Sequence, residues 1–542
     1  MLLLLSSLLV LLVLVSDVST ACTSWSSRYK KHLTGVCVCN VTHCDTLSKR
    51  HGHLLPGQVG VYTTSKSGHR FTYHVVTVTP TPVAKPTLRV NHATTYQTIL
   101  GFGGTFTDAT AINVDKLTDT LQDTVLMQYF STHGLEYSIG RVPIASTDFS
   151  TRVYSYNDHP GDLAHKQFSI DVDRETHKLE LIQRALDVAS QPVRLFASSW
   201  APPAWMTTTN STINCALIGE PGTTYWQSLA LYYSKFLRAY AREGIRFWAM
   251  TVQNEPTKIL LQASKWQSLR MSAKQQRDFI KLDLGPLLAR RHPDVLLIAG
   301  DDQKSSILKD DAPFQDAQAR QYLSGLGVHW YKNLDFFFFG RGGDYKKLQK
   351  FQKKYPDMFV LATEACEGYL PPWLGTGAGP SLLDVDKSWQ RAENYAHDMI
   401  ENTNHFVAGW TDWNLVLDTK GGPNWAQNYV DAPLLVEADA GVEFYKQPMF
   451  YILGHFSKLV PPGSKRIDLV RLARLRHVYR CAFVTPEQHI VLQFLNYGNA
   501  HAIVHVQQPD DETFTLKIPA HSMQTAIFPA VDDRERRGAM FT

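Results

Sequence analysis

Eight short apolar runs, each followed by a longer segment of helical period, constrain this chain more than any other feature. They lie at about residues 98–104, 135–143, 193–200, 246–253, 295–301, 326–331, 358–364 and 406–413. The segment 225–243 between two of them carries Leu229, Tyr232, Tyr233, Phe236, Leu237 and Tyr240 on one stripe, the spacing of an amphipathic helix. The runs themselves are apolar nearly throughout, as expected of strands buried on both faces. Eight such units in succession predict a (β/α)8 barrel. The chain has 542 residues, well beyond the roughly 250 of a single barrel, so a second domain is required.

The flanks read differently. Residues 53–97 hold an alternating run from Thr72 to Thr79, followed by Pro80, Pro82 and Pro86. Beyond residue 463, apolar runs at 490–495, 502–506 and 513–518 are separated by turn residues. Short strands of this kind predict a β-sandwich, assembled from both flanks of the barrel. The tail at 532–542 is charged and expected to be disordered.

The first 15 residues are apolar from Met1 to Val15 and lead to the small residues Ser19, Thr20 and Ala21. This reads as a secretory signal peptide over residues 1–21, although a basic n-region is missing. The alternative, a membrane anchor, asks for about 20 apolar residues. Cys22, Cys37, Cys39 and Cys44 follow at once, and an oxidising lumen would pair them. Of the three connectivities, Cys22–Cys37 with Cys39–Cys44 is preferred, because Cys37 and Cys39 are poorly placed to pair with each other. The spacing is not that of a zinc ribbon. Cys215, Cys366 and Cys481 leave at least one free thiol, with Cys366 expected to be buried. Asn40-Val41-Thr42 and Asn210-Ser211-Thr212 are glycosylation sequons. With 54 basic and 50 acidic residues, and no basic stripe, nothing points to nucleic acid. The 21 histidines would add positive charge at acidic pH, compatible with an anionic lipid surface.

Catalytic residues of such barrels stand at the C-terminal ends of the strands. Two of those ends are glutamates: Glu255 in Asn254-Glu255-Pro256, and Glu364 in Thr363-Glu364-Ala365. One glutamate after a strand is explained by solvation alone. Two, on the fourth and seventh strands over one cleft, are what cleavage of a glycosidic bond requires. The other ends supply Arg141, Asp148, Trp200, the run Asp301-Asp302-Gln303, the run His329-Trp330-Tyr331 and the run Thr411-Asp412-Trp413-Asn414. Carboxylates and amides bind sugar hydroxyls, and tryptophan faces pack on sugar C–H groups. Each tryptophan taken alone is better explained by core packing; the shared rim position favours sugar.

Asn-Glu-Pro on strand four with a Glu on strand seven is the arrangement of retaining glycosidases on this barrel. Gly101-Phe102-Gly103-Gly104, Arg141-Val142-Pro143 with Asp148-Phe149-Ser150, His329-Trp330-Tyr331, 409–414, 421–425 and 445–451 extend the likeness. Over nearly the whole mature chain the sequence resembles glycoside hydrolase family 30, in its branch acting on glucosylceramide. The resemblance implies a lysosomal retaining β-glucosidase that yields glucose and ceramide, with secretion as the alternative destination. It implies Glu364 as nucleophile and Glu255 as general acid/base, the neighbouring negative charge raising the pKa of the acid. Asp148, Trp200, Asn254, Trp413 and Asn428 match glucose-contacting positions. Tyr331 would orient Glu364, with Arg141 and His329 as supports. It implies a saposin-type activator and an anionic membrane surface as partners. The expected division is 22–52, packing with about 415–446; 53–97 plus 463–531 for the sandwich; and 98–414 plus 447–462 for the barrel. Neither metal nor cofactor is expected, since zinc, P-loop and Rossmann motifs are missing.

Several segments depart from the family pattern: 206–215, Gln253 before Asn254, the loop after Tyr331 with Phe336–Phe339, and the Gly- and Pro-rich loop between Glu367 and Lys387. The four phenylalanines read either as a buried helix start or strand, or as a lipid-docking patch. Another family 30 specificity, on glucan or xylan, and a non-catalytic glycolipid-binding protein stand as alternatives. Asp148 with Trp200 favours glucose, and the presence of both carboxylates favours catalysis.

Overall fold

The computed structural model describes residues 22, 24–25, 33–79, 83, 85–257, 265–333, 343–369, 377–437, 441–509 and 511–530. The leader, the four-phenylalanine run and the charged tail lie outside the described residues. All eight expected runs form strands, and they close into one barrel: β1 (Gly101–Thr105), β2 (Ile139–Ile144), β3 (Arg194–Ser199), β4 (Ala249–Thr251), β5 (Leu296–Gln303), β6 (Gly325–His329), β7 (Phe359–Glu364) and β8 (Val407–Asp412). The barrel shuts where β8 pairs in parallel with β1, Gly409 opposite Gly101 and Asp412 opposite Gly104. The glycines of β1 permit that closeness: a Cβ on Gly103 would stand 1.8 Å from the Ile139 carbonyl oxygen. Ile139, Phe196, Ala249, Ile298 and Leu361, all fully buried, fill the barrel interior. Outside, the helix Thr224–Arg242 buries the stripe read from the sequence.

Most strand ends shift by one to four residues from the sequence reading, β2 beginning at Ile139 rather than at residue 135, and three of the shifts have a visible cause. Strand β1 begins at Gly101, because Thr98 still belongs to an eleven-residue strand, Leu88–Thr98, of another sheet. Strand β4 is only three residues long, so Asn254 and Glu255 lie past its end. Strand β5 runs on to Gln303 through a bulge between Gly300 and Asp302.

Strands from both flanks form one nine-stranded sheet, with Thr513–Ile518 at one edge and Thr72–Thr77 at the other. Thr79 N donates to Thr513 O at 2.8 Å, drawing those edges together so that the sheet wraps into a sandwich. Val59, Val61, Leu88, Ile490, Leu492, Phe494 and Phe514 are all fully buried in its core. The helix Pro448–Ser457, buried along its whole length, lies between barrel and sandwich. Its His455 spans Thr525 Oγ1 at 2.8 Å and Thr64 Oγ1 at 2.9 Å.

The N-terminal element joins a third sheet. Leu33–Asn40 pairs antiparallel with Glu443–Lys446. The disulfides are Cys22–Cys37 and Cys39–Cys44, and Cys215, Cys366 and Cys481 are free and buried. Lys446 Nζ meets Asp45 Oδ1 at 2.8 Å, and Tyr451 Oη donates to Asp45 Oδ2 at 2.7 Å, fastening this element to the helix Pro448–Ser457. Among the described residues no helix is long and apolar enough to cross a membrane.

Candidate active site

The site grows from Arg141 on β2, which is completely buried. A guanidinium out of water must meet anions and acceptors in its own plane, and three other strands supply them. Arg141 Nη1 donates to Glu364 Oε2 on β7. Arg141 Nη2 donates at 2.9 Å both to Asn254 Oδ1 beyond β4 and to Asp301 Oδ2 on β5. Ser198 Oγ on β3 also donates to Asp301 Oδ2, at 2.7 Å. His329 on β6 continues the line, with Nε2 3.0 Å from Asp301 Oδ1 and Nδ1 3.2 Å from Glu255 Oε1. Glu364 and Glu255 are thus the two ends of one buried chain: Glu364, Arg141, Asp301, His329, Glu255.

Its electrostatics follow from burial and pairing. Burial alone would push the Asp301 carboxyl up, but Arg141 and His329 hold it well below the usual carboxylate range. Burial would lower His329; Glu364, Asp301 and Glu255 overcome that and raise it to about 10. His329 is therefore an imidazolium, and both ring nitrogens donate.

Each glutamate has a further donor. Tyr331 Oη donates to Glu364 Oε1 at 2.9 Å, while burial beside Cys366 and Glu364 holds the phenol well above its ordinary range. Gln303 Nε2 donates to Glu255 Oε1 at 2.8 Å. The Glu255 backbone is left-handed, at φ 42°, and so is that of Asp301, at φ 53°. Such conformations are uncommon for residues with a Cβ. The two are joined, Glu255 N donating to Asp301 O at 2.9 Å. The β5 bulge turns Asp301 inward to Arg141 and His329, while the next residue, Asp302, faces Thr257 and accepts from its hydroxyl at 2.6 Å. Burial and the charge of Glu255 raise Asp302.

The remaining sequence-predicted residues gather at the same end. Asn254 is 5% exposed. Its oxygen faces a guanidinium that can only donate, so its NH2 is the group presented to a ligand. Asp148 Oδ2 accepts from Asn428 Nδ2 at 2.9 Å and Asn424 Nδ2 at 3.2 Å. One Asp148 oxygen is therefore committed to protein amides. Trp200 and Trp413 stack on each other, centroids 4.9 Å apart and planes 18° off parallel. Arg141 Cζ lies 4.8 Å from the Trp200 centroid. With faces turned to each other and 2% and 3% exposed, the tryptophans are a packed pair rather than two open platforms. Asn210 is exposed and Asn40 half-buried.

Asp301 and Gln303 were not singled out from the sequence. Their one signal was the polar run that ends the fifth strand. Gln253, which departs from the family pattern, is fully buried and donates to the carbonyls of Trp200 at 2.9 Å and Asn254 at 3.2 Å. It fixes the backbone just before Glu255. Among the described residues the only potential metal-ligand cluster is Cys39, Cys44 and Asp45, whose two sulfurs are joined in a disulfide.

Comparison with known proteins bears on this arrangement. Residues 99–460 match the glycosyl hydrolase family 30 TIM-barrel domain, and residues 463–526 the family's beta sandwich domain. The lysosomal acid glucosylceramidase of Mus musculus is 38% identical over 497 residues, 91% of this chain and 93% of that one. Among solved structures, SrfJ from Salmonella typhimurium superposes with a TM-score of 0.78 at 26% identity, covering 88% of this chain and 100% of that one. The endo-beta1,6-glucanase BT3312 superposes with a TM-score of 0.74 at 25% identity, covering 87% and 99%.

Proposed function

The chain belongs to glycosyl hydrolase family 30, and on that premise we propose that it is a retaining β-glucosidase cleaving glucosylceramide to glucose and ceramide. One observation carries the reading: Glu364 and Glu255 are joined through Arg141, Asp301 and His329 into a single buried charge network. Glu364, oriented by Arg141 and Tyr331, attacks the anomeric carbon. The bond to the glycosidic oxygen breaks, and that oxygen takes the proton of Glu255 as ceramide leaves. Water then attacks the same carbon, giving its proton to Glu255, and the Glu364 ester bond breaks. The donors from His329 and Gln303 both fall on Glu255 Oε1, which favours Oε2 as the oxygen that carries the proton.

Charge counting supports the division of roles. Arg141 and His329 are cations, and Asp301 and Glu364 anions, so the network is neutral when Glu255 is protonated. Once Glu364 carries glucose its charge is gone, and the network is neutral when Glu255 is ionised. An uncompensated buried charge is costly, so each half-reaction leaves Glu255 in the form the next one needs. Asn254, presenting its NH2, fits the sugar 2-hydroxyl, a contact able to strengthen in the transition state. Asp148, Asn428 and the Trp200–Trp413 pair complete the glucose pocket.

Glucosylceramide lies in membranes, so the reading includes an anionic lipid surface, a saposin-type activator and a lysosomal setting, with glycans on Asn40 and Asn210. The turn between the strands Lys465–Arg471 and Val478–Val484 supports the lipid partner: Arg471, Arg474 and Arg476 are exposed around Leu472, itself 45% exposed, and the turn has no acid. A second reading, a glucan hydrolase, is favoured by the likeness to BT3312. A substrate panel decides between them: glucosylceramide in anionic vesicles, β-1,6-glucan oligosaccharides and xylan. Release of glucose from the lipid alone, abolished by Glu364→Gln, is expected. Turnover of glucan with the lipid untouched refutes the substrate, and residual turnover unchanged by Glu364→Gln refutes the mechanism.

A further inference from the structure

Three residues beyond the nucleophile stands an acid that the chemistry above does not use. Glu367 is 8% exposed. Groups face it from every element packed around it: Arg391, Asn394 and Tyr395 from the helix Val385–Asn404, Asp431 from the stretch before Leu434–Val436, Asp412 from β8, and Cys366 and Tyr369 from its own segment. Glu364 and Asp398 lie in the second rank.

Three buried carboxyls lie together there, and one guanidinium, Arg391, acts on two of them, Asp431 and Glu367. Arg391 is committed to Asp431, which also accepts from Gln447 Nε2 at 2.5 Å and from Ala432 N at 2.9 Å. Asp412 accepts from Tyr395 Oη at 2.7 Å and Trp413 N at 3.0 Å, and its Oδ2 has no partner among the described residues. Glu367 accepts a neutral amide, Asn394 Nδ2, at 2.7 Å. Burial raises Asp412 well above the carboxylate range. Burial, only partly offset by Arg391, holds Glu367 at about 7.

The backbone around Glu367 leads straight to the sugar-binding amides. Its carbonyl accepts from Asp431 N at 2.8 Å, and the Gly368 carbonyl from Ala378 N at 2.6 Å. Gly377 N, one residue earlier, donates to Asn428 Oδ1 at 2.9 Å, and Asn428 Nδ2 holds Asp148. Glu367 and Asp431 are therefore adjacent carboxyls on two segments that together set Asn428.

We propose that Glu367 is a positioning residue for the sugar: neutral, it lets its segment close on Asp431 and seat Asn428 against Asp148, and ionised, it is repelled by Asp431, loosens Asn428 and weakens binding. This rests on the reading of Asp148 and Asn428 as glucose contacts. It adds to the acid/base a second proton that tunes binding rather than chemistry, so its mark falls on KM and not on kcat.

The test is calorimetric binding of octyl β-thioglucoside, uncharged and not hydrolysed, to the full-length protein between pH 5 and 8. A Glu255→Gln background removes the acid/base proton. Kd should rise above about pH 7, by at most tenfold per pH unit, with proton uptake on binding near pH 7 seen as a buffer-dependent heat. Adding Glu367→Gln, which keeps an oxygen for Asn394, should hold Kd at its pH 5 value and abolish the uptake. Glu367→Met, apolar and of similar length, should do the same. Uptake that persists in both double variants, or a pH-independent Kd in Glu255→Gln, overturns the proposal. If the double variants do not fold, absence of uptake in Glu255→Gln alone overturns it. If the thioglucoside binds at no pH, the glucose-site reading falls first and this proposal with it.

Discussion

The Gln303 amide offers the sharpest handle on the acid/base. Gln303 Nε2 donates to Glu255 Oε1 at 2.8 Å, and the Glu255 side chain is only 16% exposed. A donor N–H stabilises the carboxylate over the acid, so it lowers the pKa. Gln303→Leu removes the donor and must raise it. A hydrogen bond to a charged group contributes about 1.5–3 kcal/mol. Water reaching the partly exposed side chain recovers about half, leaving about 0.8–1.5 kcal/mol, or about half to one pKa unit. The assay is kcat against pH on an alkyl β-glucoside, whose poor leaving group makes the acid-catalysed step limiting. Using kcat reports the bound complex and sets aside effects on binding. The alkaline limb should move up by about half to one unit. Gln303→Glu, placing a like charge beside Glu255, should move it further the same way. Lys332 N, which donates to Gln303 Oε1 at 3.1 Å, also loses its acceptor in Gln303→Leu, so a melt must accompany each profile. A limb that stays put, or moves to lower pH, in a folded Gln303→Leu protein refutes Glu255 as the acid held by this amide.

Three other outcomes are expected. Tyr331→Phe loses the 2.9 Å bond to Glu364 and should lower kcat/KM by about 10- to 100-fold, the equivalent of about 1.5–3 kcal/mol, with an unchanged melting temperature. Burial raises Glu401 to about 7, so its contribution is fully present below the unfolded carboxylate value near 4.5 and is lost as pH rises through 7. Relative to Glu401→Gln, the wild type should lose about 2 kcal/mol of stability between pH 5 and pH 7.5 in denaturant melts. Arg474→Glu with Arg476→Glu should weaken sedimentation with anionic vesicles at least tenfold while sparing hydrolysis of a soluble aryl glucoside; equal losses on both would mark a folding defect.

The barrel was legible because each strand is a local signal. A both-faces-buried strand announces itself within five to eight residues, and eight of them leave little choice of closure. The sandwich strands were legible through their alternation, and β7 ends at Glu364 as read. Ends set by distant partners were not legible. Thr98 reads as the start of β1, yet pairing with Lys465, far along the chain, holds it in another sheet. In the site, residue types at strand ends named the glutamates, but not which neighbours orient them. Asp301 meets Arg141 only because one extra residue in the β5 bulge reverses its direction. Neither Gln303 nor Glu255 carries any local trace of the other. Gln253 was visible as an oddity, and its role as a brace for the Trp200 and Asn254 carbonyls needed the fold. Glu367 stood out only as the start of a Gly- and Pro-rich loop, because burial by elements distant in the chain leaves no mark on local sequence.

The central claim is that Glu364 attacks the anomeric carbon of glucose within a network shared with Glu255. A glucose-configured epoxide that traps the nucleophile, followed by digestion and mass mapping, tests it most directly. One label per chain on the Glu364 carboxylate, lost in Glu364→Gln and retained with slower onset in Glu255→Gln, is the result predicted. A label on any other residue, or labelling that survives Glu364→Gln, contradicts it.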